Sequence, residues 1–147
     1  MKAPDISLIS GDGNSYTLQQ FRGQKVILYF YPQDDTETCT LQACSFRDHF
    51  IEIKKTGAVL IGVSPDSTHS HKKFTSKYDL NFPILSDEDK SVMRLFGVWK
   101  KKKLFGRSYM GVIRTTFVID ERGTITHIFP NVRIKGHVEN VLKAVLA

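Results

Sequence analysis

Cys39 and Cys44 are the only cysteines in this chain of 147 residues, and they lie five positions apart. A thiolate can serve as nucleophile, metal ligand or redox centre. A cysteine pair in a chain that stays in a reducing compartment is more often catalytic or metal-binding than a structural disulfide. Cys39 stands in the polar stretch Thr36-Glu37-Thr38-Cys39-Thr40, soon after the apolar run Val26-Ile27-Leu28-Tyr29-Phe30-Tyr31. That places it at or just inside the start of a helix following a buried strand. The first N–H groups of a helix are unpaired and carry partial positive charge, which favours thiolate over thiol. A cysteine serving only as a small apolar side chain would more naturally sit inside an apolar run.

Cys44, between Ala43 and Ser45, falls on the same predicted helix. Five residues of α-helix separate Cα atoms by roughly 8.7 Å, whereas a disulfide wants less than ~7 Å. Either the two sulfurs never bond, or the first turns of the helix unwind when they do. The spacing excludes a Cys-x-x-Cys reductase of thioredoxin type, since Thr40 to Ala43 intervene. It also disfavours a copper site, which needs soft ligands and usually a histidine. Of the histidines, His69 and His71 are two apart and do not share a helix face. His49, His127 and His137 match no ligand spacing. No metal or other cofactor is expected.

The elements that must position Cys39 can be read from periodicity and turn chemistry. Ile6–Leu8 and Tyr16–Leu18 flank Gly11-Asp12-Gly13-Asn14, which predicts an N-terminal β-hairpin. The run 26–31 reads as a strand buried on both faces, stopped by Pro32 because proline cannot donate to a sheet ladder. A helix is predicted over about 37–55, ended by Gly57. A second buried strand follows at 58–64, then a helix through about Tyr78. A short strand is expected at 82–85, and a helix through Phe96 capped by the cluster Ser86-Asp87-Glu88-Asp89. Strands at 116–120 and 124–129 are joined by Glu121-Arg122-Gly123 as a tight turn, and a last helix runs from near His137 to Leu146. Buried strands alternating with helices predict an α/β layer fold, and the closing hairpin makes the central sheet mixed. One domain, residues 1–147, accommodates all of it.

Composition is globular, with 41% hydrophobic and 24% charged residues. No apolar run reaches the ~18 residues of a membrane helix, and Met1-Lys2-Ala3-Pro4-Asp5 shows no signal-peptide pattern. A cytoplasmic protein with neither membrane nor nucleic acid as partner is expected. The net charge of +6 owes much to Lys100–Lys103. This run is read as a solvated loop, since no stacking aromatics interleave with it in the manner of nucleic-acid motifs. Trp99 and Phe105 are expected to pack.

Pro32-Gln33-Asp34-Asp35-Thr36-Glu37-Thr38-Cys39 matches the Pro-x-x-x-Thr-x-x-Cys signature of peroxiredoxins. Phe30–Pro32 through Cys44-Ser45-Phe46-Arg47-Asp48, with Gly111–Asp120, resembles the bacterioferritin-comigratory or peroxiredoxin Q subfamily along the full length. The subfamily commonly carries Pro-Gly where this chain has Glu37-Thr38. The resemblance implies a thioredoxin-like fold and thioredoxin-dependent reduction of hydrogen peroxide and organic hydroperoxides, in a monomer without cofactor. It further implies that Cys39 is the peroxidatic cysteine and Cys44 the resolving one, joined as a redox disulfide during turnover. Thr36 would orient the peroxide, Pro32 would shield the thiolate, and Arg114 would stabilise thiolate and transition state. The chemistry of these side chains suits those tasks. Peroxide cleavage moves negative charge onto the leaving oxygen, which a rigid guanidinium accommodates. A threonine hydroxyl donates one hydrogen bond and accepts another without competing as an acid.

Overall fold

A computed structural model describes residues 1–147. Seven strands form one sheet in the order β2 (Ser15–Thr17), β1 (Ser7–Ser10), β5 (Ile84–Ser86), β4 (Val59–Ser64), β3 (Val26–Phe30), β8 (Thr115–Ile119), β9 (Ile125–Phe129). Its centre is β3 (Val26–Phe30), every residue of which is buried. β3 runs parallel to β4 (Val59–Ser64), which runs parallel to β5 (Ile84–Ser86). On the other side β3 is antiparallel to β8 (Thr115–Ile119), which forms a hairpin with β9 (Ile125–Phe129). The expected N-terminal hairpin, β1 (Ser7–Ser10) and β2 (Ser15–Thr17), extends the sheet beyond β5. The sheet is therefore mixed.

The period of two along a strand sends alternate side chains to opposite faces. From β3, Ile27 and Tyr29 enter one core with Cys39, Ala43, Phe46, Phe74, Val138 and Val141. Val26, Leu28 and Phe30 enter the other with Val92, Met93, Val98 and Val112. The first core lies under α1 (Glu37–Asp48), α2 (Phe50–Lys55), α3 (Thr68–Tyr78) and α5 (His137–Leu146). The second lies under α4 (Ser91–Leu95) and an arm formed by β6 (Trp99–Leu104) and β7 (Arg107–Val112). Gly62 of β4 has no side chain because Tyr29 fills its place: a Cβ there would lie 2.9 Å from the ring.

Four expectations need correction. The helix predicted over 37–55 is two helices, broken at His49 (φ −98, ψ 10). There the imidazole Nδ1 lies 2.8 Å from the Ser45 carbonyl, and the His49 N–H is shared between the Ser45 and Phe46 carbonyls. The helix ending at Phe96 spans only one turn and a half. Asp87 does cap it, accepting from the Val92 and Met93 N–H groups, but the intervening residues form a turn closed by Lys90 in the left-handed region. Lys100–Lys103 is a strand and not a loop, paired in register with Ser108–Gly111. Phe105 does not pack; it sits at the tip of this arm, 95% exposed. Trp99 does pack, half-buried against the second core with the Lys90 ammonium over its ring.

Candidate active site around Cys39

The turn after β3 and the first turn of α1 assemble the site. Thr36 occupies the N-cap position with extended backbone (φ −85, ψ 158), and its carbonyl accepts the first helical bond from Thr40 N–H. Its hydroxyl does not cap the helix. It donates to the Gln33 carbonyl at 3.2 Å, which leaves the oxygen able to accept a hydrogen bond. Cys39 is the third residue of α1 and is 2% exposed. It thus lies among the unpaired N–H groups of the helix start, as the sequence predicts.

Arg114 comes from the short link between β7 and β8. Its Nη2 donates to the Cys39 sulfur at 3.1 Å and its Nη1 to Gln42 Oε1 at 2.6 Å. The link is held by the Val132 N–H, which donates to the Arg114 carbonyl, and by the Thr115 hydroxyl on the Ile113 carbonyl. The guanidinium is therefore fixed by its fork and by its backbone. Pro32 is half-buried at the end of β3. The structure brings Cys39 and Arg114 into contact, with Thr36 three residues before the sulfur on the same turn.

Cys44 lies on the same unbroken helix, half-buried, and both cysteines are free thiols. The helical spacing that keeps them too far apart to bond is the spacing observed.

Several residues of the site were not legible from spacing. Gln42, 1% exposed, orients Arg114, while its Nε2 has no partner. The buried Tyr29 hydroxyl, under α1 with its ring on Phe46, also has none. Burial above all, then the nearby Cys39 sulfur, pushes Tyr29 well above the usual phenol range, so it stays a neutral hydroxyl. His137 Nε2 lies 2.8 Å from the Thr116 hydroxyl. Burial and then the Arg114 charge lower its pKa to about 4, which keeps it neutral.

Asp34 and His71 pin the loop that carries Pro32 and Thr36. The Asp34 carboxylate accepts from Tyr31 Oη (2.5 Å) and Ser70 Oγ (2.8 Å), and faces His71 Nδ1 at 2.6 Å. His71 Nε2 faces the Leu85 carbonyl at 3.0 Å. Both imidazole nitrogens thus face oxygen atoms of the surrounding structure, the Asp34 carboxylate and the Leu85 carbonyl. Asp66 accepts from the Asp34 N–H at 2.7 Å. Asp34, Asp66 and His71 come close enough to suggest a metal cluster. However, Asp34 Oδ2 and His71 Nδ1 are turned to each other, and the Asp66 oxygen receives Asp34 N–H and Ser64 Oγ. His69 of the same helix is exposed and takes no part. The next residue, Asp35, binds Tyr78 Oη and Lys77 Nζ, each at 2.7 Å. Both carboxylates of the loop are thereby moored to α3. A cavity of about 470 Å³ between the β1–β2 turn and α3 has Gly11, Lys72 and Phe82 among its walls and does not include Cys39.

A buried thiol at a helix start, held 3.1 Å from a clamped guanidinium, sits on a chain whose residues 1–128 match the model of the AhpC/TSA family. The chain belongs to the AhpC/TSA family. Among its relatives there, the putative peroxiredoxin bcp of Coxiella burnetii is 46% identical over 96% of this chain and 93% of its own. Peroxiredoxin Bcp of Bacillus subtilis is 43% identical over 97% of this chain and 90% of its own. The solved bacterioferritin comigratory protein of Xanthomonas campestris, which has alkyl peroxide reduction activity, superposes with a TM-score of 0.92. It is 34% identical, covering 96% of this chain and 90% of that one. This AhpC/TSA chain is thus a peroxiredoxin of the Bcp branch with a thioredoxin-like fold, and its activity is that of a thiol peroxidase. No helix of the structure is long and apolar enough to cross a membrane.

Proposed function

We propose that Cys39 is the thiol that attacks the peroxide and that Cys44 resolves the product. The observation that carries this reading is the Arg114 guanidinium, 3.1 Å from the Cys39 sulfur and oriented by Gln42. In the first step the thiolate attacks one peroxide oxygen. An S–O bond forms, the O–O bond breaks, and the leaving oxygen takes a proton and departs as water or alcohol. Arg114 stabilises the negative charge shared among sulfur and both oxygens. The Thr36 hydroxyl orients the peroxide and Pro32 shields the sulfur. The unpartnered Gln42 Nε2 is a further donor in the same wall.

In the second step the Cys44 thiol condenses with the Cys39 sulfenic acid, forming the S–S bond and releasing water. The first turns of α1 must open for this. A dithiol, with thioredoxin the fitting chemistry, then reduces the disulfide by exchange. Hydrogen peroxide and organic hydroperoxides are the substrates. The cycle needs no cofactor and closes within a single domain of residues 1–147, so the working unit is a monomer, and we place it in the cytoplasm.

Intact-mass measurement after one equivalent of peroxide tests this. The wild type is expected to lose about two mass units as an intramolecular disulfide, and Cys44→Ser to gain about sixteen as a sulfenic acid. Cys44→Ser should consume one equivalent and stop. Sustained thioredoxin-linked turnover by Cys44→Ser, or peroxide consumption by Cys39→Ser, would overturn the assignment.

A further inference from the structure

The positive charge of this chain is segregated. Eight of its 21 basic residues and none of its 15 acidic residues lie between Lys90 and Ile119. That segment carries +8, so against a total of +6 the rest of the chain is net −2. At its centre is the β6–β7 arm, which forms its own two-stranded sheet apart from the seven-stranded one.

The arm ends in a two-residue turn, Phe105-Gly106, with φ of 51 and 76. Two positive values define the hairpin turn that normally recruits Asn-Gly or Gly-Gly. A bulky aromatic there is conformationally unfavourable, and this one is also 95% exposed. Neither cost is offset by any contact within the chain. Leu104 beside it is about half exposed, as are Tyr109 and Met110 further back along β7, paired with Lys102 and Lys101. Behind this apolar tip stand Lys100, Lys101 and Lys103, all exposed, with Arg107 at the turn itself. The cationic stretch of β6 runs about 10 Å back from the tip. The outermost apolar residues are Phe105 and Leu104, and the cations stand beside and behind them, Arg107 opposite Leu104 and Lys101 opposite Met110. This is the layering of a bilayer surface met from water: anionic headgroups outside, hydrocarbon within. A polyanion in water offers only the second half of that match.

We propose that the β6–β7 arm docks on anionic lipid bilayers, with Phe105 and Leu104 entering the headgroup–acyl boundary and the lysine collar meeting lipid phosphates. No spanning segment is required for such attachment, and the proposal stands apart from the assignment of Cys39 and Cys44. The Cys39 site would stand at the base of the arm, away from the inserted tip, since β7 ends two residues before Arg114.

Flotation of the full chain with vesicles tests the proposal. Phosphatidylcholine vesicles containing about one third phosphatidylglycerol should carry the protein, and pure phosphatidylcholine vesicles should not. Phe105→Asn keeps the turn conformation, because asparagine tolerates positive φ. It should weaken vesicle binding by about tenfold through loss of apolar insertion while leaving peroxide turnover unchanged. Replacing Lys100, Lys101 and Lys103 by serine should abolish binding. Failure to float with the anionic vesicles would overturn the proposal. So would flotation indifferent to Phe105→Asn together with equal retention on heparin or duplex DNA, which would make the arm a polyanion site.

Discussion

Replacing Arg114 by methionine probes the contact on which the proposed chemistry rests. The methionine keeps an unbranched apolar stem and removes the cation. The guanidinium nitrogen stands 3.1 Å from the Cys39 sulfur. At an effective dielectric of ~20, unit charges at that distance attract by about 5 kcal/mol. Arg114 is only half-buried, so solvent screens part of this, and about 2–3 kcal/mol is the expected loss from an anionic transition state. The rate of peroxide attack should then fall about 30- to 150-fold. Arg114→Lys restores charge but not the fork that also binds Gln42 at 2.6 Å, so it should recover less than half of the loss in free energy. Stopped-flow measurement of sulfenic acid formation in a Cys44→Ser background isolates this step from disulfide closure and reductant. A rate within threefold of the parent for Arg114→Met would refute the electrostatic role. Equal rates for Arg114→Met and Arg114→Lys would refute the part assigned to charge.

Three further outcomes follow from the same geometry. Asp34→Asn should cost about 1–3 kcal/mol of stability, because it disturbs the buried hydrogen bonds to Tyr31, Ser70 and His71; urea midpoints check this, and an unchanged midpoint would contradict the role of that network. His137 has its pKa lowered to about 4 from an ordinary 6.5, so its contribution is complete above pH 6.5, where both states are neutral. As pH falls the unfolded chain takes the proton first, costing about 2 kcal/mol by pH 5 and about 3 kcal/mol below pH 4. His137→Gln should flatten that part of the pH–stability curve, and parallel curves for variant and parent would defeat the reasoning. Finally, oxidation with one equivalent of peroxide should remove amide-exchange protection from residues 39–44 and leave it intact in β3; equal protection of α1 in both redox forms would contradict the opening of that helix.

The sequence shows the scaffold well wherever burial alone dictates structure. β3, β4 and β8 are apolar runs because both their faces are covered, and such runs announce themselves. The start of α1 is legible for a different reason: a polar stretch between an apolar strand and a helical period leaves little else for Thr36–Cys39 to do. The partnership of Cys39 with Arg114 spans 75 positions, and no local pattern encodes it; only the family signature pointed there. The mooring of Asp34 by His71 is equally non-local. A histidine on a polar helix next to His69 reads as surface, and only packing shows that one of the two points inward. The lysine arm is not legible as a strand, because lysine has little preference for strands. Its pairing comes from register and from the Phe105-Gly106 turn, whose positive φ an aromatic residue does not advertise. The break at His49 was hidden for the same kind of reason, since a single side chain near a carbonyl of the preceding turn leaves the helical spacing of Phe46, Phe50 and Ile53 almost undisturbed.

That break has a mechanical meaning. A continuous helix over 37–55 would pass any twist at its start along its whole length, into Ile53 and the core beneath it. With His49 already outside helical geometry, torsion released in α1 has a place to end. α2, anchored by the buried Ile53, is insulated from it. On the proposed cycle, the part that moves is then confined to the first turns of α1, and the outline presented to a reductant changes while the frame that holds Arg114 and β3 stays still.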